Sequence, residues 1–213
     1  MKTDDLIRTL AAEPATPAGL SVDARALLGT VGGLILTLAL FVTALGPRPG
    51  LWQAWADPLV LAKSVLPLVL GLLALALALR AVRPGRAAGA PGRAIAVVPV
   101  AAAGLFLFAF ATAAPGTRMA LFLGHSIPVC LPAIVILSLP VLAGLLSALK
   151  RGAPVRPALA GALAGLAAGG LAATVYSTFC TEDSPLFYAV WYALGITLAA
   201  LAGALAGRRL LAW

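Results

Sequence analysis

Apolar residues in this sequence form six long runs, and short segments rich in proline, glycine or charge separate them. The runs lie at 27–46, 59–81, 94–113, 127–149, 158–179 and 187–207. Each run is long enough for a helix that crosses the hydrocarbon core of a bilayer, which is about 30 Å thick and needs roughly 20 helical residues. The pattern predicts an all-α fold, a polytopic bundle of six transmembrane helices arranged most simply as three hairpins.

The composition agrees with lipid as the solvent for most of the chain. Hydrophobic residues make up 62% and charged residues 10% of the 213 positions, and a water-soluble domain of this size cannot hide so much apolar surface. The runs show no alternation of apolar and polar residues, which argues against a β-barrel. The net charge is +8, but the basic residues lie between the runs, so direct nucleic-acid binding is not expected.

The basic residues are divided unequally between the two sides of the predicted bundle. One side holds twelve of them: Lys2, Arg8, Arg25, Arg80, Arg83, Arg86, Arg93, Lys150, Arg151, Arg156, Arg208 and Arg209. The loops on the other side hold only Arg48 and Arg118. Because basic loops resist translocation, both chain ends are predicted to be cytoplasmic. The chain is then divided into a cytoplasmic segment at 1–26, a transmembrane domain at 27–207 and a cytoplasmic tail at 208–213. Trp52 and Trp55 in the first outer loop and Trp213 at the inner end are expected in the headgroup zones.

Lys63 is the one charged residue in the interior of an apolar run, since Arg80 stands at the end of the same run. Its long side chain is predicted to reach the outer headgroups by snorkelling, in preference to serving as a functional intramembrane charge. Five prolines in or near the runs are expected to kink helices for reasons of packing, since no acidic partner accompanies them. They are Pro67, Pro99, Pro128, Pro132 and Pro140.

Small residues recur at four-residue spacing in three of the runs. The sets are Gly29 and Gly33; Gly161, Gly165 and Gly169; and Gly203 and Gly207. Each set places a flat stripe on one helix face, where a second backbone can approach closely. Packing within the monomer is the preferred interpretation over dimerisation, although the sequence does not fix the oligomeric state.

Cys130 and Cys180 are the only cysteines, and the predicted topology places both at the outer ends of helices. Because consecutive helices are usually neighbours, two thiols at one membrane depth can come within disulfide range. The extracytoplasmic side is also the oxidising side. Three interpretations stay open: a structural disulfide, a sensor of redox state or of a thiophilic metal, and two unrelated small apolar residues.

A single histidine, His125, and the acidic pair Glu182 and Asp183 lie close in sequence to the two cysteines. A mixed metal site of cysteine, histidine and carboxylate is therefore one hypothesis, but a lone interfacial histidine is more often simply solvated. The acidic pair is alternatively a hydrated loop or a cap of the last helix. Ser184 and Pro185 have the residue types of an N-cap followed by the first helical position.

The opening segment MKTDDLIRTLAAE has the pattern of a short amphipathic helix that Pro14 ends. Thr3 has the residue type of an N-cap, and Asp4 and Asp5 suit the positive end of the helix dipole. Its apolar face comprises Leu6, Ile7 and Leu10. So short a helix is not stable alone in water, so this face needs a partner, either the membrane surface or the groove of a cytoplasmic protein. Residues 15–23 are expected to form a flexible tether.

Several stretches, spread over nearly the whole chain, resemble the NrsF family of membrane anti-sigma factors. They are the opening MKTDDLIRTLAAE, the segment from Cys130 to LSLP at 137–140, the run RGAPVRPALAGALAGLAAGGL, and the block CTEDSPLFYAVWYALGI with the ending GRRLLAW. The resemblance implies a six-span inner-membrane protein of bacteria that holds an extracytoplasmic-function sigma factor of the sigma-F type inactive.

The resemblance also implies roles for particular residues. The N-terminal segment is expected to contribute to sigma-factor binding through Lys2, Thr3, Asp4, Asp5, Leu6, Ile7 and Leu10. Cys130 and Cys180 are expected to be required for release under stress, which favours the sensor interpretation, with transient binding of a thiophilic metal at these two residues as one form of it. Oxidation or metal capture would change the tilt between the fourth and fifth spans and thereby the cytoplasmic surface. No resident cofactor is expected.

Two other classes of function compete with a regulator. A small transporter or channel with a structural disulfide would suit six spans, but it would need polar residues lining its spans, which are nearly bare. A quinone-linked thiol oxidoreductase would normally use a C-x-x-C pair with a second shuttle pair, whereas this chain has two isolated cysteines. No hydrolase or nucleotide-binding motif is present, so no enzyme activity is expected.

Overall fold

The computed structural model describes residues 2–12, 19–83 and 85–212. The regular elements of these residues are all α-helices. In chain order they are α1 Thr3–Ala12, α2 Val22–Ala44, α3 Leu51–Ala54, α4 Pro58–Ala81, α5 Gly89–Ala94, α6 Val97–Thr112, α7 Arg118–Leu123, α8 Ile127–Leu149, α9 Pro157–Ser177 and α10 Pro185–Leu210. Pro14 and Trp213, for which the sequence predicted roles, lie outside the described residues.

Among the described residues, six helical segments are long and apolar enough to cross a membrane, which confirms the predicted all-α bundle of six spans. Four of them are α2, α4, α9 and α10. The third segment combines α5 and α6, and the fourth combines α7 and α8. The short helix α7 had no counterpart in the sequence pattern, whereas α8 has the predicted bounds.

Side-chain caps explain where three of the long helices begin. The hydroxyl of Ser21 accepts a hydrogen bond from the amide of Ala24 at 3.2 Å, so α2 begins at Val22 rather than at residue 27. Asp57 caps α4 in the same way, with Pro58 as its first residue. Ser184 caps α10, and Pro185 follows it, which confirms the predicted N-cap and first helical position.

Helix α9 is the centre of the bundle. It packs against α4, α8 and α10, and α2 packs on the outer side of α8. Helix α6 is peripheral and makes most of its contacts with α10. The first two of the three hairpins expected from the sequence are therefore wrong, because α2 pairs with α8 rather than with α4, and α6 packs on α10 rather than on α8. Helices α9 and α10 do form a hairpin.

Glycine stripes allow the closest helix approaches. A Cβ added at Gly161 would lie 2.8 Å from the Cα of Gly207, and one added at Gly33 would lie 2.6 Å from the Cα of Val141. Gly29 faces Gly144 in the same manner. Packing within the monomer, the preferred interpretation of these stripes, is confirmed.

The prolines divide into two groups. Pro67 in α4 and Pro132 and Pro140 in α8 lie inside their helices. Pro99 and Pro128 instead lie in the first turns of α6 and α8. The third span is interrupted just before Pro99, between Ala94 and Val97, and the carbonyl of Ile95 accepts from the amide of Val98 because Pro99 has no amide hydrogen. The predicted kink is wrong only at Pro128, where a proline in the first turn removes no helical hydrogen bond.

The alternation of the six spans gives the bundle two distinct ends. One end, which we call the cysteine end, comprises the connections 45–57, 113–126 and 178–184. The other, the arginine end, comprises residues 82–83 and 85–88, the connection 150–156, the start of α2 and residues 208–212. At the arginine end Arg83 pairs with Asp23, and the amide of Ala153 donates to the carbonyl of Val82.

Candidate functional site

The two cysteines lie at the same end of the bundle, as their predicted common depth required. Cys130 is in the first turns of α8, where its amide donates to the carbonyl of Ser126. Cys180 follows the last turn of α9, and its amide donates to the carbonyl of Tyr176. Both thiols are free, and the residues are 0% and 1% exposed. The structure therefore brings both residues into the protein interior rather than to a lipid-facing or water-facing surface.

Aromatic side chains enclose the two cysteines. Cys130, Cys180, Tyr176, Tyr192 and Phe187 belong to one buried apolar cluster. The centroids of the two tyrosine rings are 5.8 Å apart. Both tyrosine hydroxyls are buried, and they lie beside the thiols: that of Tyr176 is next to Cys130 and Cys180, and that of Tyr192 is next to Cys180. The cysteines thus share a buried site with two tyrosine hydroxyl groups.

Asp183 binds two cations beside Cys180. Its Oδ1 accepts hydrogen bonds from Lys63 Nζ at 2.6 Å and from Arg48 Nη1 at 2.9 Å, and its Oδ2 lies 3.0 Å from Arg48 Nη1. The backbone carbonyl of Cys180 accepts from the same two cations, at 2.7 Å from Lys63 and 3.2 Å from Arg48. We call Asp183, Lys63 and Arg48 the Asp183 clamp.

The position of Lys63 corrects the prediction made for it. Its side chain is 1% exposed, and its ammonium group binds Asp183 and the Cys180 carbonyl instead of reaching the headgroups. Its acidic partner comes from a loop 120 positions further along the chain. Two clues in the sequence could have suggested this pair: Lys63 is the one charge in the interior of a run, and the acidic pair lies in an outer loop.

Glu182, the neighbour of Asp183, binds a different connection. Its Oε1 accepts a hydrogen bond from the amide of His125 at 2.8 Å and lies 3.4 Å from Ser126 Oγ. Gly124 has a φ of +53°, a value that L side chains rarely adopt, and a Cβ there would collide with Glu182. The acidic pair is therefore neither a hydrated loop nor the cap of α10, because its two carboxylates fasten the 178–184 connection to its neighbours.

The mixed metal site considered from the sequence is not assembled. The side chain of His125 is fully exposed, with Nδ1 3.9 Å from Glu182 Oε1, in agreement with the solvated histidine that was the preferred interpretation. Among the described residues, no three cysteine, histidine or acidic side chains are grouped to hold a metal ion. The donors available to a thiophilic metal at this site are the thiols of Cys130 and Cys180.

The predicted N-terminal helix is present as α1. It begins at Thr3 itself, with Asp4 and Asp5 in its first turn, and the Thr9 hydroxyl donates to the carbonyl of Asp5. Ile7 is 58% exposed. The side chains of Leu6 and Leu10 lie outside the described part of the structure. Helix α1 thus exposes at least one apolar side chain, that of Ile7. It precedes α2 in the chain, and α2 begins at the arginine end.

Comparisons with known proteins point to one family over the whole chain. A family model described as NrsF, negative regulator of sigma F, matches residues 10–213. The anti-sigma-F factor NrsF of Caulobacter vibrioides (strain NA1000 / CB15N) is 40% identical over 221 residues, with all of both chains covered. The probable anti-sigma-F factor NrsF of Azospira oryzae (strain ATCC BAA-33 / DSM 13638 / PS) is 36% identical over 217 residues, again with full coverage. No solved structure shows a significant match to the chain.

Proposed function

The chain belongs to the NrsF family of negative regulators of sigma F, and from this premise we propose that it is a membrane anti-sigma factor that sequesters an extracytoplasmic-function sigma factor at the bacterial inner membrane. The family is regulatory and not enzymatic, so no catalytic residue is assigned. The family match over residues 10–213 is the observation that carries this proposal. Six helices of membrane length and the bias of basic residues toward one end support a membrane location with cytoplasmic termini.

The sensor in this proposal is the pair Cys130 and Cys180. A two-electron oxidant such as a peroxide would take two electrons and two protons from the thiols, join their sulfur atoms and itself be reduced to water, whereas a thiophilic metal would bind both sulfurs in place of the protons. Either event inserts a bond between α8 and the end of α9. The position of both residues in one buried cluster at the cysteine end supports this role. A bond formed there biases the bundle between a sigma-holding and a sigma-releasing arrangement.

The sensor can be tested with the double substitution Cys130→Ser and Cys180→Ser. The sigma factor is expected to co-purify with the membrane fraction from untreated cells carrying either the parent or the double variant. After a pulse of oxidant or thiophilic metal, the parent should lose the sigma factor from its membranes, whereas the double variant should keep it. Release from the double variant equal to that from the parent would eliminate the cysteines as sensor.

The surface that holds the sigma factor is, in this proposal, helix α1. Its face of Leu6, Ile7 and Leu10 fits a partner with an apolar groove, and its side chain at Ile7 is uncovered in the isolated chain. Lys2, Thr3, Asp4 and Asp5 contribute polar contacts at the start of the same helix.

Ile7→Asp is the test of this surface. With about 3.6 residues per turn, Ala12 lies on the opposite side of α1, so Ala12→Asp introduces the same residue away from the apolar face. Ile7→Asp is expected to reduce the sigma factor bound to the membranes at least about tenfold, the equivalent of about 1.4 kcal/mol. Ala12→Asp should retain it, and equal loss from both variants would show that the face is not the binding surface.

A further inference from the structure

Two cations from different parts of the bundle enclose the segment that follows Cys180. Arg48 belongs to the 45–57 connection, shortly after the end of α2, and Lys63 belongs to α4. Each donates to Asp183 and to the carbonyl of Cys180. The backbone of the Cys180 segment is thereby bound from two sides at once.

The two cations of the clamp are buried and therefore need a nearby negative charge. The Lys63 and Arg48 side chains are 1% and 8% exposed, whereas that of Asp183 is 37% exposed. A buried cation needs a compensating charge, because its transfer from water is costly. Within the described residues, Asp183 is the carboxylate that pairs with both cations. The segment cannot leave its position without separating Asp183 from two buried positive charges.

The clamp also links the 178–184 connection, which contains Cys180, to α2. The amide of Arg48 donates to the carbonyl of Thr178 at 2.9 Å, and the amides of Leu45 and Gly46 both donate to the carbonyl of Phe41 at the end of α2. Hydrogen bonds thus fix residues 45 and 46 to α2 and residue 48 to the 178–184 connection. Helix α2 begins at the arginine end, where the chain arrives from α1.

We propose that Asp183, Lys63 and Arg48 form a latch that keeps Cys180 buried and transmits its chemical state to α2. These are positioning residues that act on the sensor without reacting themselves, and the inference rests on the proposed function. The Cys180 carbonyl is a shared acceptor of both cations, so chemistry at that residue's sulfur disturbs the latch directly. Opening of the latch frees the 45–57 connection and, through α2, alters the presentation of α1.

The first measurement is the rate at which a maleimide labels Cys180 in membranes of the full-length Cys130→Ser protein. Asp183→Asn removes the charge that holds both cations and should accelerate labelling at least about tenfold, since modification of a buried group follows the population of the open state. The matched control is Asp57→Asn, which makes the same exchange at the same end of the bundle. Asparagine caps a helix about as well as aspartate, so this control should label like the parent.

The second measurement tests whether the latch acts downstream of the sensor cysteines. Asp183→Asn is introduced into the Cys130→Ser, Cys180→Ser protein, and the sigma factor in the membrane fraction is quantified without stress. If the latch transmits the signal, the sigma factor is released although no sensor cysteine remains. Asp183→Glu, which keeps the charge, should retain most of it. Immunoblots of the membranes confirm equal protein levels, and Arg48→Gln supplies a milder opening if Asp183→Asn is poorly produced.

Faster labelling together with stress-independent release supports the latch. Labelling of Asp183→Asn at the rate of Asp57→Asn would overturn it, and so would faster labelling while the sigma factor stays bound. A parent protein that never retains the sigma factor would refute the proposed function instead, and the labelling rates would still decide whether the clamp holds Cys180.

Discussion

The ammonium group of Lys63 lies 2.7 Å from the backbone carbonyl oxygen of Cys180, although the two residues are 117 positions apart in the chain. The same ammonium group lies 2.6 Å from Asp183 Oδ1. A charge that would be unfavourable in lipid is thus compensated by protein groups at the site of the cysteines. This contact has direct consequences for stability.

Lys63→Met should destabilise the protein less than Asp183→Asn. Methionine retains an unbranched apolar side chain, and the 37% exposed Asp183 keeps Arg48 as a partner, so we expect a loss of about 1–2 kcal/mol. Asp183→Asn leaves two buried cations with neutral acceptors only and should cost about 3 kcal/mol, the lower end of the range for broken buried pairs, because Asp183 is partly exposed. Thermal unfolding of both variants in one detergent gives the comparison, and an equal or larger loss for Lys63→Met would contradict the arrangement described.

The resting thiols should resist water-soluble reagents. Because Cys130 and Cys180 are almost wholly buried, each single-cysteine protein should react with a membrane-impermeant maleimide at least about a hundredfold more slowly than an exposed thiol. Trp52→Cys in the protein without native cysteines supplies that reference, since Trp52 is 78% exposed. Labelling in detergent with denaturant should make all three equal, and rapid labelling of the native cysteines in membranes would contradict their burial.

Two adjacent glycines in α2 should differ sharply in their tolerance of a side chain. A Cβ at Gly33 would lie 2.6 Å from the backbone of Val141, whereas a Cβ at Gly32 has nothing within 4 Å. Gly33→Val should therefore separate α2 from α8 and cost about 1–3 kcal/mol, the usual penalty of overpacking. Gly32→Val should be close to neutral. Membrane level and melting temperature measure both, and indistinguishable variants would argue against the α2–α8 contact.

The orientation predicted from the basic residues can be measured at two exposed positions. In the protein without native cysteines, Trp52→Cys at the cysteine end should be labelled by an impermeant reagent in spheroplasts. Val155→Cys at the arginine end, where Val155 is 74% exposed, should be labelled only after permeabilisation. The reverse pattern would place the cysteine end in the cytoplasm, against the charge bias.

The hydrophobic pattern was sufficient to predict the six membrane-length helices, because the formation of each span depends on its own composition. Helix α8 has the predicted bounds, and the capping types at Ser184 and Pro185 marked the start of α10 correctly. Partners were harder to infer, because helix pairing depends on shape. The spacing of Gly29 and Gly33 predicted a close helix contact, but it did not indicate that the partner was α8 rather than α4.

The candidate site was predictable only in part for a similar reason. The position of Cys130 and Cys180 at one end of the bundle could be predicted from the alternating direction of the spans alone, and the sequence of each span is enough to identify it. The Asp183 clamp depends instead on three separate parts of the chain that meet in space: the 45–57 connection, α4 and the 178–184 connection. Lys63 was interpreted by the general behaviour of long side chains near a membrane surface, and that rule does not consider a carboxylate supplied by a distant loop.

The distance along the chain between the clamp's charges also sets an order for biogenesis. Arg48 and Lys63 are synthesised 135 and 120 positions before Asp183. At a translation rate of about 5–20 residues per second, roughly 6–27 seconds pass between the synthesis of these cations and that of Asp183. During that interval α4 carries an ammonium group without the carboxylate that later neutralises it. The contacts of Arg48 and Lys63 with Asp183 therefore form only after the connection between α9 and α10 has been synthesised.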